Sequence, residues 1–251
     1  MSSFLMSKIK AKKSLIAVAC FSAIALTGCG GSSSSDDVEV EIPVVETPVA
    51  VTYEYEISVT NLTSNQPLSP VTLITHDDEF MPFSIGVTAS SALELLAESG
   101  DNTEVLALES NIDSASDSAP LAPGSTYTHT LETEDTELNL SILSMLVNTN
   151  DAFTGLNSHD LSDYSVGDEK SLRLSVYDSG TEANSEVDTT IPGPATMGTG
   201  EGFNVSRDDI IDVVTMHAGV VSQDDGLTNS VLSASHRFDN LVAKVSIKRI
   251  K

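Results

Sequence analysis

The chain has 251 residues, with 37 acidic against 12 basic and a formal net charge of −25 at pH 7. No Lys or Arg occurs between Lys13 and Lys170, so the surface repels polyanions, which excludes nucleic acid and anionic headgroups as partners. The two cysteines, Cys20 and Cys29, both lie near the N-terminus, so the remainder must be stabilised by an apolar core or bound metal rather than by disulfides.

The first segment carries Lys8, Lys10, Lys12 and Lys13, then a mostly apolar run from Ser14 to Ala25, then Leu26-Thr27-Gly28-Cys29. Basic, apolar and small-residue parts in that order make a secretory signal peptide, and the apolar run is too short to span a bilayer permanently. Leu26-Thr27-Gly28-Cys29 resembles the lipobox of bacterial lipoproteins, which implies cleavage before Cys29 and lipidation of its thiol. Several acyl chains, at about 0.8 kcal/mol per buried methylene, then hold the product on the membrane. Gly30, where Asp would retain such a protein in the inner membrane, favours the outer membrane. The expected location is therefore the cell envelope, as an outer-membrane lipoprotein facing the periplasm or the exterior.

Three regions are expected: the signal peptide 1–28, the lipidated Cys29 with a flexible acidic tether to residue 51, and a folded domain 52–251. The tether (GGSSSSDDVEVEIPVVETPVA over 30–50) is small, acidic and proline-bearing. It would span on the order of 25 Å as a coil and roughly 70 Å extended.

Within the domain, Tyr53, Tyr55, Ile57 and Val59 alternate with polar residues, the period of a half-buried strand. Val71–Thr75 suits a second strand. Ser91 with Glu94 predicts a capping box opening a helix that buries Leu95 and Leu96 and stops at Gly100. Pro123-Gly124 marks a turn before a strand over 125–131. Leu138, Leu140 and Ile142 alternate before the phase shifts to Leu143, Met145 and Val147, which predicts a bulge. Leu172, Leu174 and Val176 make another strand, and so do Leu241, Ala243, Val245 and Ile247. The segment from Ile210 to Met216 fits either helix or strand. His159-Asp160 reads as loop. Many short strands and one helix predict a mainly β fold, an antiparallel β-sandwich with one or two short helices.

The chain has no G-x-S-x-G elbow, H-E-x-x-H pair, P-loop, G-x-G-x-x-G fingerprint or complete EF-hand loop. Two acidic segments follow apolar strand ends instead: Asn148-Thr149-Asn150-Asp151 and Asp178-Ser179-Gly180-Thr181-Glu182. Oxygen-rich loops suit calcium, a hard ion taking 6–8 oxygen ligands. Asp and Asn also favour such places simply as turn formers.

In these stretches the chain resembles the spondin N-terminal domain family in its bacterial form. The resembling pieces, in order, are VTNLTSNQPLSPVTLITHD (59–77), ALELLAESGDN (92–102), PLAPGS (120–125), SMLVNTNDAFTGL (144–156), YDSGTEAN (177–184), IPGP (191–194) and HRFDNLVAKVSI (236–247). The resemblance implies a C2-like antiparallel β-sandwich and one calcium ion, held by Asp151, Asp178 and Glu182. Glu182 stands where animal members carry Asp, and the disulfide of eukaryotic members cannot form here. His217 and the pair Asp224-Asp225 inherit no role. Since the animal members act in adhesion and matrix recognition, the resemblance implies a binding or adhesion module with no catalytic residues, engaging an extracellular protein or glycan. The alternatives are a metal-dependent envelope hydrolase and a purely structural envelope protein.

Overall fold

A computed structural model describes residues 51–135, 137–239 and 241–251. The signal segment, Cys29 and the tether up to residue 50 lie outside the described residues. Among the described residues no helix is long and apolar enough to cross a membrane.

The described residues are mainly antiparallel β, with nine strands and two short α-helices among them: β1 (Tyr53–Asn61), β2 (Thr72–His76), α1 (Ser91–Ser99), α2 (Thr103–Leu106), β3 (Asp113–Ser116), β4 (Thr126–Thr133), β5 (Asn139–Met145), β6 (Ala152–Asp160), β7 (Glu169–Asp178), β8 (Thr215–Met216) and β9 (Leu241–Arg249). The hydrogen-bonded order is β3-β2-β5-β6-β7-β9-β1-β4, with the short β8 also on β7. β7 joins two halves of this ladder. Glu169–Ser175 pairs with β9, while Val176–Asp178 pairs with β6, and the β9 register shifts between Leu174 and Ser175. One face of each half packs on the other. Ile57, Val59, Leu131 and Val245 from the β4-β1-β9 half share a core with Leu73, Leu140 and Ile142 from the β2-β5 half.

The half containing β2, β5 and β6 is buried on its other face as well, because α1 packs against β5 and β6 there. Leu93, Leu96 and Ala97 of α1 meet Ile74, Leu143 and Phe153 in a second cluster. This accounts for the apolar phase shift at Ile142/Leu143. Ile142 faces the main core and Leu143 faces α1, so consecutive residues are apolar without a bulge in β5. The irregularity lies on the partner strand. Between the pairs Leu140↔His159 and Ile142↔Leu156, β6 carries one extra residue, and Ser158 takes a positive φ of 54°.

Helix α1 starts one position earlier than the capping-box pattern predicts. Ser90 is the N-cap, accepting from the Leu93 N–H, and Glu94 is bound to Arg207 instead of the cap. Leu93 with Leu96 carries the buried face, while Leu95 is only half-buried. Gly100 does terminate the helix, at φ 72°, with its N–H on the Leu96 carbonyl. His159-Asp160 is the end of β6 rather than loop, with His159 Nε2 2.9 Å from the Tyr164 hydroxyl. Between Ile210 and Met216 only Thr215–Met216 is regular, as strand β8.

Candidate functional site

The turn between β5 and β6, residues 146–151, is fully buried along most of its length and uses its polar side chains to tie distant segments together. Asn148 accepts from the Ala195 N–H at 2.9 Å and donates to the Asn65 carbonyl at 3.1 Å. Gln66 braces its backbone on both sides, accepting from the Asn148 N–H and donating to its carbonyl. Thr149 closes the turn, donating to the Leu146 carbonyl at 2.6 Å and accepting from the Ala152 N–H at 3.1 Å. Asn150 reaches Thr190 Oγ1 at 2.6 Å. Gly193 lies flat against this turn; a Cβ there would sit 2.1 Å from the Val147 carbonyl oxygen. Segments far apart in sequence therefore meet at one end of the sandwich.

Asp151 is the centre of the arrangement. Its Oδ2 accepts from Ser179 Oγ (2.8 Å), the Thr181 N–H (2.9 Å), the Glu182 N–H (3.2 Å) and Thr181 Oγ1 (3.3 Å). The β7–β8 connection thus wraps around a single carboxylate oxygen. Gly180 at φ 74° makes that wrap feasible, because a Cβ there would also strike the Val213 carbonyl at 2.5 Å. Beneath the acids, Phe153 and Tyr177 lie with ring centroids 5.4 Å apart, and Phe83 contacts both, at 5.1 and 4.8 Å. Each of the two loop acids Asp151 and Asp178 is therefore within two residues of a packed aromatic, which fixes the strand ends that carry them.

All three predicted acids arrive at this end and all three are buried: Asp151 is 0% exposed, Asp178 7% and Glu182 5%. They diverge from the centre. Asp178 Oδ1 accepts from the Gly180 N–H, and its Oδ2 accepts from Asn184 Nδ2 at 2.7 Å. Asn184 Oδ1 in turn lies 3.1 Å from His217 Nε2, while His217 Nδ1 accepts from the Gly219 N–H. Glu182 leaves its buried Oε2 without a hydrogen-bond partner, and the acids that act on it most strongly are Glu98 and then Asp151. Among the described residues no group of three or more His, Cys, Asp or Glu side chains stands in a finished metal-ligand arrangement.

The electrostatics of this end are those of carboxylates withdrawn from water. Burial, then the charge of Asp178, pushes Asp151 up to about 7, against the lowering effect of its N–H donors. Burial, then Glu98 and Asp151, pushes Glu182 up to about 8. Burial lowers His217, with Asp178 opposing, so its ring is held neutral. Two buried oxygens here have no hydrogen-bond partner, Asp151 Oδ1 and Glu182 Oε2. Those are hard, anionic donors of the kind a calcium ion takes, and Asp178 retains spare lone pairs on hydrogen-bonded oxygens.

Sequence reasoning missed Gln66, Glu98, Asn184 and His217. Gln66, Glu98 and Asn184 sit inside the resembling stretches, but nothing in the spacing distinguishes them from surface polar residues.

Fold and site together define an antiparallel β-sandwich with a cross-braced, carboxylate-bearing loop cluster at one end. A family model described as Spondin_N matches residues 60–195, more than half of the chain. The chain belongs to the spondin N-terminal domain family, and that membership points to a binding or adhesion type of module. The match contains both acidic loops and the IPGP segment, and it ends before the His236–Ile247 stretch. No curated protein matches the chain.

Proposed function

We propose that this chain is an envelope-anchored, calcium-stabilised recognition module that carries no catalytic activity. The carrying observation is the pair of buried, partnerless carboxylate oxygens on Asp151 and Glu182, one on the β5–β6 turn and the other on the loop hydrogen-bonded to Asp151. Asp151, Asp178 and Glu182 would hold one ion, whose charge relieves their mutual repulsion and stiffens the loops. Backbone carbonyls or water would supply the remaining ligands.

A binding role rather than catalysis is supported by the histidine beside the acids. One nitrogen of His217 is filled by the Gly219 N–H and the other faces Asn184, so neither is free to move a proton for a substrate. The basic leader and Leu26-Thr27-Gly28-Cys29 support anchoring through lipid on Cys29, in the outer membrane. The acidic surface favours an extracellular protein or glycan as ligand over nucleic acid.

The test pairs two assays on the purified chain, with calcium and with chelator. A screen against esters, phosphoesters and glycosides is expected to give no turnover in either condition. Affinity capture from envelope and extracellular-matrix fractions is expected to retain a ligand only with calcium. Calcium-dependent turnover that disappears in Asp151→Asn would replace the module with a metal-dependent hydrolase.

A further inference from the structure

Helix α1 places two glutamates one turn apart, Glu94 and Glu98, both buried. They are treated differently. Glu94 is paired with Arg207, which also binds Asp212 and the Ala89 carbonyl. Glu98 is 0% exposed and forms no salt bridge of its own among the described residues, although the charge of Arg207 still acts in favour of its ionised form. Its Oε2 accepts from the Asn204 N–H at 2.8 Å, and its Oε1 is buried without any hydrogen-bond partner.

An ionised carboxylate is poorly placed here on three counts. It is out of water. It occupies the last turn of a helix, where the macrodipole favours a cation, and the turn has no basic residue. It also lies beside the loop that carries another acid: the Thr181 side chain is within reach of its carboxylate, and Glu98 is the strongest charge acting on Glu182. Its backbone cannot easily retreat, because Gly100 locks the helix end and a Cβ there would lie 2.8 Å from Ser69 Cβ.

The partnerless oxygen of Glu98 resembles the two already noted, Asp151 Oδ1 and Glu182 Oε2. The three belong to three separate elements that meet at the loop 178–182: the end of α1, the β5–β6 turn and the loop itself. Asp178, by contrast, has both oxygens in hydrogen bonds. We infer that Glu98 is a further carboxylate of the calcium site, facing the ion from α1 beside Asp151 and Glu182. This rests on the proposed calcium site and adds to it an element that the two acidic loops lack. No three acids among the described residues stand in a metal-holding group as they are, so the site requires Glu98 and Glu182, each with three side-chain torsions, to rotate their free oxygens toward the ion. Helix α1 thereby becomes the element that calcium couples to the loops.

Calcium titration calorimetry and thermal melts of the full chain, purified in detergent, test this with Glu98→Gln, Glu98→Asp and Asp178→Asn. Glu98→Gln keeps the volume and an acceptor for the Asn204 N–H, so it is expected to melt no lower than wild type in chelator. Its calcium Kd is expected to rise about tenfold or more, as for loss of an anionic group at a metal site. Glu98→Asp keeps the charge and is expected to fall between the two, an order that a purely structural role would not produce. If wild type responds to calcium, Asp178→Asn loses that response and both Glu98 variants keep it in full, Glu98 is no part of the site and the loop site stands. If wild type shows no response, both fall. Should Glu98→Gln not fold, a wild-type Kd in Glu98→Asp overturns the inference by itself.

Discussion

Glu182→Gln should change sign with conditions. In the folded chain burial, Glu98 and Asp151 raise the Glu182 carboxyl from 4.5 to about 8. The folded state therefore holds this proton more tightly than the unfolded state does. The resulting destabilisation is absent below about pH 4.5, grows as pH rises and is complete above about pH 8. At 1.36 kcal/mol per pH unit of pKa displacement, it amounts to about 4 kcal/mol at pH 8. Gln has nearly the same shape and no charge, so in chelator at pH 8 the variant should be more stable than wild type by up to that amount. For a domain of this size that is on the order of 10 °C in melting temperature. At pH 4.5 the two should melt together. Saturating calcium should reverse the order, because wild type gains RT ln(1 + [Ca]/Kd), about 2.7 kcal/mol at a hundredfold excess over Kd, and the variant gains much less. Differential scanning calorimetry at pH 4.5 and 8, with calcium or chelator at one ionic strength, measures all four states. A variant that melts below wild type by the same margin at both pH values in chelator would refute the reasoning.

Glu186 provides an independent check on the same physics: burial lifts it to about 7, and its Oε2 is buried without a partner. Glu186→Gln should stabilise the chain by about 3 kcal/mol above pH 7 and not below pH 4.5, with calcium affinity unchanged; equal shifts at both pH values would contradict this. Gly193→Ala should lower stability by roughly 2–3 kcal/mol, because the new Cβ meets the Val147 carbonyl at 2.1 Å and Asn148 Oδ1 at 2.4 Å. Its φ of −79° suits any residue, so the loss should appear as steric displacement of the β5–β6 turn, read as faster amide exchange there. Cys29→Ala should abolish palmitate labelling and leave the precursor uncleaved; equal labelling of wild type and variant would remove the lipid anchor.

The fold was legible in sequence where one face of a strand meets solvent. β1 alternates Tyr55, Ile57 and Val59 with Glu54, Glu56 and Ser58, and its outer face carries the hydroxyl pairs Ser58–Thr128 and Thr60–Thr126. Alternation failed where both faces are covered. β2 is buried at all five positions, β5 at six of seven, and β6 begins with four buried residues, so β2 and β6 carry no period of two and β5 keeps one only as far as Ile142. β3, with the sequence DSAS, has no apolar signature because it is an edge strand held by its pairing with β2. The two acidic loops were legible from oxygen-rich composition at strand ends. What was not legible is how the acids are shared out. Asp151 is enclosed by hydroxyl and backbone N–H donors of residues 179–182, Asp178 is drawn toward Asn184, which in turn meets His217, and Glu182 is left with Glu98 and Asp151 as the acids acting on it most strongly. Those pairings arise from tertiary closeness between residues up to about a hundred positions apart, and helical spacing alone cannot separate Glu98 from its salt-bridged neighbour Glu94.

The most direct measurement is the melting temperature of the wild-type chain in calcium, in magnesium and in chelator, at pH 7.5 and fixed high ionic strength. A calcium ion held by Asp151, Asp178 and Glu182 predicts a rise with log calcium concentration of about 1.4 kcal/mol per decade above Kd. The rise should persist in high salt, since a chelated ion is not screening. Magnesium should substitute poorly, because it demands tight octahedral geometry. Identical melting in calcium and chelator would contradict it, leaving these acids as turn-forming and loop-bracing groups alone.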